Sequence, residues 1–369
     1  MTDSGKRQKH SLNGMRRKEE GQRERDSGRS MSPLRNYLLR NYVLFSPTQP
    51  PPTQFPAFHI PHDPRPTYMK RFSIGIDIGG TKIAGILLNK WTGAWVFSEI
   101  LTRHAWSPRD LRDIVHSMVE EVAVKGGADF RQIGSIGVGV PGVVDERGRI
   151  KKVPNLPALE RVDVLRLFPG IKLTVWNDAA CAAFAEAKLG HQRASVLGVH
   201  LTLGTGLGGA VLERERRRFP MRDILQVQKI EIGHIGANMA AAAEEHPDEP
   251  YELEAFCSRA FFRRSSAKHV QTLYEDAKRD RNSDASSTFL RFGAHVGSLL
   301  ATVDTLFQPE TITLGGGLMA YYDAFKPSMM RVYRRRKFLP GQPARIRPSA
   351  FGPEGGALGA ALYGSIAAG

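Results

Sequence analysis

The hydrophobic positions of this chain gather into short runs from Phe72 onward, and before that residue they show no periodicity. Phe72–Ile78 and residues 83–88 are aliphatic and β-branched, and they flank Gly79-Gly80-Thr81-Lys82. This predicts two buried strands around a glycine turn. Residues 94–102 read as a third strand. Ser107-Pro108-Arg109-Asp110 then starts a helix with proline in its first turn, on which Leu111, Ile114, Val115, Met118, Val119 and Val122 recur at helical spacing. Residues 133–140 predict a buried strand running into Pro141-Gly142, and residues 172–178 a strand that ends in Asn177-Asp178 before an alanine-rich helix.

The opening pattern then returns. Residues 196–203 lead into Gly204-Thr205-Gly206-Leu207-Gly208-Gly209 and a strand at 210–212, so two strand-glycine-strand units stand more than a hundred residues apart. Such repetition predicts two similar α/β lobes, each offering a glycine loop to a shared cleft. Residues 213–229 read as a basic connection, 288–307 as a long helix, and 311–314 as a strand delivering Gly315-Gly316-Gly317. The small residues of 355–366 predict a helix able to pack closely.

Composition narrows the function classes. The chain has 369 residues and a formal charge of +15, much of it in residues 1–68 and 331–337, which favours anionic partners. Residues 1–68 combine Lys, Arg, Glu, Ser and Gly with a proline-rich end, so they are expected to be disordered, without the two short helices of a helix-turn-helix and without a secretory signal. No run is long enough to cross a bilayer. Cys181 and Cys257 are the two cysteines; they exclude a disulfide framework and a cysteine zinc site, and suit a reducing cytoplasm.

The candidate chemistry sits at strand ends. Gly79 and Gly80 can take positive φ and bring backbone N–H groups close to a phosphate, Thr81 and Lys82 add a hydroxyl and a charge, and Asp77 could hold magnesium through water. Taken alone, this turn is equally an ordinary β-hairpin. Asp178 can be read as a general base or as the cap of the helix that follows, and His234 as a ligand or a structural hydrogen bonder.

Asp77-Ile-Gly-Gly-Thr-Lys82, Gly139-Val-Pro-Gly142, Asn177-Asp178, Gly204-Thr-Gly-Leu-Gly-Gly209, Glu231-Ile-Gly-His234, Leu253-Glu254 and Gly315-Gly-Gly317, in this order, resemble the ROK family of sugar kinases, within the actin-like ATPase and hexokinase superfamily. The resemblance covers residues 70–369. It implies two ribonuclease-H-like lobes around a cleft, 69–178 completed by a helix at 355–369, and 179–354. It also implies a homodimer and transfer of the ATP γ-phosphate to a hexose hydroxyl.

By the same resemblance, Asp178 is the general base. Asp77, Gly79, Gly80, Thr81, Lys82, Gly204, Thr205, Gly206 and Gly208 take the phosphates, with Gly315, Gly316 and Gly317 facing adenosine. Asn155, Asn177, Asp178, Glu231, His234 and Glu254 read the sugar. Glucose is the first expectation, with fructose, mannose or an N-acetylhexosamine behind it. One departure matters: family members carry a cysteine-rich zinc segment between the histidine and the later Leu-Glu, and here residues 235–252 hold no cysteine, so no structural zinc is expected. The family also includes sugar-responsive transcription regulators, and a noncatalytic sugar sensor is a third alternative.

Overall fold

Strand β1 (Phe72–Ile78) is buried on both faces, one lined by isoleucines and the other by Ser73, Gly75 and Asp77, and it forms the middle of the first sheet. The computed structural model describes residues 70–101, 106–154, 156–216, 223–236, 252–335 and 342–367, which fall in one compact unit. β1 pairs antiparallel with β2 (Lys82–Asn89), and β2 with β3 (Trp95–Leu101). The chain then forms α1 (Pro108–Lys125), where Ser107 and Asp110 cap each other and Pro108 occupies the first turn as the sequence predicts. It returns as β4 (Ile133–Val140), parallel to β1. A two-stranded hairpin of β5 (Val143–Val144) and β6 (Ile150–Lys152) follows, and then β7 (Lys172–Asn177), parallel to β4. The sheet order is β3-β2-β1-β4-β7.

The second sheet repeats this topology strand for strand. β8 (Leu197–Leu203), β9 (Leu207–Arg216) and β10 (Asp223–Ile230) form the antiparallel meander, while β11 (Thr311–Gly315) and β12 (Arg345–Pro348) add in parallel beyond β8. The repeat visible in the two glycine motifs is thus a repeat of the whole sheet. Between the sheets lies α2 (Asp178–Lys188), in contact with strands of both. The remaining helices are α3 (Leu253–Cys257), α4 (Arg259–Ser265), α5 (Val270–Arg279), α6 (Asp284–Phe307), α7 (Tyr322–Arg335) and α8 (Gly355–Ala367). Phe289, Phe292, Val296, Leu299, Leu300 and Val303 of α6 fill the second core, together with Phe325 and Met329 of α7.

One reading is corrected here. Residues 213–229 are mostly the end of β9 and most of β10, and the sequence misled because the charges alternate. Glu213 and Glu215 face solvent, whereas Leu212 and Arg214 are buried, so the period is that of a strand with one polar face. Arg214 is tolerated inside because its guanidinium donates to the carbonyls of Ala187 (2.8 Å) and Ser195 (3.3 Å). Residues 1–68, the subject of the disorder expectation, lie outside the described residues.

Period two also explains how β1 holds Asp77. Ile74, Ile76 and Ile78 are fully buried on one face, and Ser73, Gly75 and Asp77 alternate onto the other. That second face meets α8: Ser73 donates to the carbonyl of Ala361 (2.7 Å), and a Cβ at Gly75 would lie closer than 3.0 Å to the carbonyl of Ala357. Small residues on the strand and on α8 let backbone approach backbone. Asp77 is the last residue on this face, against Gly356 at the start of α8.

Candidate active site

Asp77 and Asp178 come together at the ends of β1 and β7. Gly139 of β4 lies between them, and a Cβ there would stand 3.4 Å from Asp77 Oδ1, 3.6 Å from Asp178 Cα and 3.3 Å from Cys181 Sγ. Asp77 Oδ1 is buried with no hydrogen-bond partner. Burial, then the charge of Asp178, pushes the Asp77 carboxyl up to about 7, with Lys82 pulling the other way. Burial raises Asp178 to about 6, opposed by the Ala179 N–H, by Lys229 and by Asn177. An orphaned carboxylate oxygen beside a second carboxylate fits a hydrated magnesium ion.

The pair makes stability depend on pH. Both carboxyls hold protons more firmly folded than unfolded, so from about pH 4 to about pH 7 the native state carries the extra protons and stability falls as pH rises. His234, raised chiefly by its hydrogen bond to Glu252, adds to the same trend. We expect the melting temperature of the metal-free protein to drop between about pH 4 and pH 7, and Asp77→Asn to flatten that slope. A melting temperature that climbs across the window would overturn the assignment of two strained carboxyls.

Asn177, and not Asp178, caps α2: its side-chain oxygen accepts from Ala180 N (3.2 Å) and its amide donates to the Gly142 carbonyl (3.2 Å). The capping alternative for Asp178 is thereby corrected. The asparagine at the strand end holds the N3 amide of the helix, and Asp178 Oδ1 accepts from the N2 amide, Ala179 N, at 2.8 Å. Asn155 lies outside the described residues.

Glu231, His234 and Glu254 gather on the second sheet's side. Glu231 and His234 are exposed, and His234 Nδ1 bonds Glu252 Oε2 at 2.6 Å. Glu254 Oε2 accepts from Leu207 N (2.8 Å) and presses on Gly206 and Gly233, so one carboxylate ties the second glycine turn to the Glu-Ile-Gly-His segment. Lys229 Nζ reaches Glu231 Oε1 (2.5 Å) and the Gly142 carbonyl (3.2 Å), which is the acceptor Asn177 also uses. A continuous chain of contacts therefore runs from the sugar-reading candidates to the start of α2.

Lys229 and Glu252 were missed by sequence reasoning. Each stands two residues before a residue that was found, Glu231 or Glu254. Reading 223–230 as a strand would have placed Lys229 on the same side as Glu231.

The glycine turns differ from one another. Neither Gly79 nor Gly80 takes positive φ, contrary to expectation; Gly79 N closes the turn on the Lys82 carbonyl at 2.8 Å, which ordinary φ values permit. Thr81 completes this turn, and Lys82 directs its ammonium to Glu99 (2.8 Å). In the second turn, Gly204, Thr205 and Gly206 are half-buried, while Gly208 is already in β9 against Ala179. Gly315 ends β11, and Gly316 is needed as glycine on two counts: its φ is 91°, and a Cβ there would collide with the Leu203 carbonyl. These two turns lie side by side at the carboxyl ends of adjacent parallel strands, where α/β proteins hold ligands.

The ROK family profile matches residues 73–364. The chain is 24% identical to an N-acetyl-D-glucosamine kinase of Haemophilus influenzae over 78% of its own length and 97% of that protein. It is 27% identical to a glucokinase of Streptomyces coelicolor over 71% and 87%. Its fold matches a ROK family glucokinase from Streptomyces griseus, solved with glucose and AMPPNP, at a TM-score of 0.61 and 24% identity, covering 80% of this chain and 99% of that one. It also matches a ROK family transcriptional regulator, a homologue of the E. coli MLC protein, at 0.62 and 20%, covering 80% and 78%. With the profile spanning most of the chain and both sheets in the matching arrangement, the protein belongs to the ROK family.

Proposed function

We propose that the protein transfers the γ-phosphoryl group of ATP to a hexose hydroxyl, with Asp178 as general base. The observation that carries this reading is the placement of Asp178: it leaves the N-cap position to Asn177, lies beside Asp77, and is joined through Asn177, Gly142 and Lys229 to Glu231. Phosphoryl transfer is mainly positioning and charge stabilisation, and each part has a residue here. Asp178 accepts the hydroxyl proton as that oxygen attacks phosphorus, and ADP leaves. Asn177 fixes the first turn of α2 and so aims Asp178. Lys229 holds Glu231, and Glu252 holds His234, at the sugar end. Magnesium held through water by Asp77 would supply positive charge to the phosphate oxygens.

The relatives support glucose and N-acetyl-D-glucosamine as the acceptors to try first. A coupled assay with glucose, N-acetylglucosamine, mannose and fructose, using ATP and then polyphosphate, tests this. We expect glucose with ATP to be fastest, and absence of turnover across the panel would sink the kinase reading. The regulator alternative is disfavoured by the joint presence of Asp77, Asp178 and the glycine turns, and the homodimer remains part of this reading.

Zinc does not belong to it. The reason is that residues 235–252 hold no cysteine; His246 and most of the segment between His234 and Glu254 lie outside the described residues. Elemental analysis of metal-depleted, repurified protein is expected to find no stoichiometric zinc; about one zinc per chain would show that ligands other than cysteine serve.

A further inference from the structure

Arg259 occupies a place that the sequence motifs do not announce. It follows the buried Ser258, whose hydroxyl accepts from Ala260 N (3.1 Å), and its own N–H donates to the Gly204 carbonyl at 2.9 Å. The backbone of Arg259 is thereby pinned to the second glycine turn. Its side chain reaches the other turn: a Cβ on Gly317 would stand 3.3 Å from Arg259 Nη2. Arg259 therefore links the two turns, its backbone held by Gly204 and its guanidinium lying beside Gly317. Its Nε is buried without a hydrogen-bond partner, and it has no acidic partner among the described residues. Arg259 as a whole is only half-buried, and a cation with no acidic neighbour, held between two glycine turns, is completed if an anion lies there.

We propose that Arg259 binds the phosphate chain of the donor, gripping its oxygens between the two glycine turns. This rests on the kinase reading above. A planar guanidinium offers several N–H donors in a fixed fork that matches phosphate oxygens, which a glycine turn alone cannot do. Glu254 holds the same turn at Gly206 and Leu207, so a cation beside Gly317 and a carboxylate beside Gly206 flank it.

Calorimetry on the full chain tests this, with AMPPNP, inorganic tripolyphosphate and adenosine as probes, for wild type, Arg259→Met and Arg259→Lys. We expect Arg259→Met to lose about 10 to 100-fold in AMPPNP affinity, the size of one charge-assisted contact, with adenosine binding and the KM for sugar unmoved. Arg259→Lys should lose less, and it serves as the test if the methionine variant does not fold. Unchanged AMPPNP affinity in a variant overturns the assignment while leaving the kinase reading intact. An equal fall for adenosine and AMPPNP also overturns it, since Arg259 would then be shaping the pocket. Wild type that binds tripolyphosphate through Arg259 but ignores AMPPNP supports the phosphate grip and sinks ATP as donor. Wild type that binds none of the three probes overturns both.

Discussion

Asp178→Asn is expected to reduce turnover by roughly two to four orders of magnitude, about 2.7 to 5.4 kcal/mol on the barrier, while sugar binding survives within a few-fold. The amide keeps the shape and can still accept from Ala179 N, as Oδ1 does at 2.8 Å, but it cannot take a proton. Fraying of α2 is not a rival cause, because the cap is Asn177 and is left in place. Removing one of two neighbouring carboxylates should leave the melting temperature equal or higher, since the charge of Asp178 raises the Asp77 carboxyl. Near-normal turnover in the folded variant would sink the base assignment. Loss of both turnover and sugar affinity would place Asp178 among the sugar contacts alone.

The sequence made the first sheet legible because its signals are local. The apolar run of β1, the helix start at Ser107 to Asp110, and the small residues of α8 each point to one structure. The second sheet was half legible: β8 and β11 are plain apolar runs, whereas β10 is a polar-faced strand at the sheet edge and looks like a connection.

The site divided the same way. Asp77, Asp178 and the glycine turns lie at strand ends that chain order alone reveals. Lys229, Glu252 and Arg259 reach it through contacts across the fold, with Gly142, His234, Gly204 and Gly317, and no spacing in the sequence encodes these contacts. Asp178 shows the limit from the other side, since a capping aspartate and a catalytic one look alike until the preceding asparagine is seen to hold the helix.

Gly359→Ala and Gly137→Ala are each expected to destabilise the protein by about 1 to 3 kcal/mol or more. In a bare helix the first change would help by about 1 kcal/mol, because alanine is the better helix former. Tertiary contact reverses the sign. A Cβ on Gly359 would lie closer than 3.0 Å to the carbonyl of Cys181 in α2, and a Cβ on Gly137 equally close to the carbonyl of Ala360. Both obstacles are backbone, so no side chain can swing aside, and α8 would have to move away from α2 in one variant and from β4 in the other. Either shift moves Gly356 relative to Asp77, so activity should fall beyond the loss of stability. Ser365→Ala is the control in the same helix: its hydroxyl bonds the Leu362 carbonyl one turn back, and its removal should change little. Thermal unfolding decides the matter. Melting temperatures within about 2 °C of wild type for both glycine variants would mean that α8 slides freely, and that close backbone contact does not hold Asp77 in place.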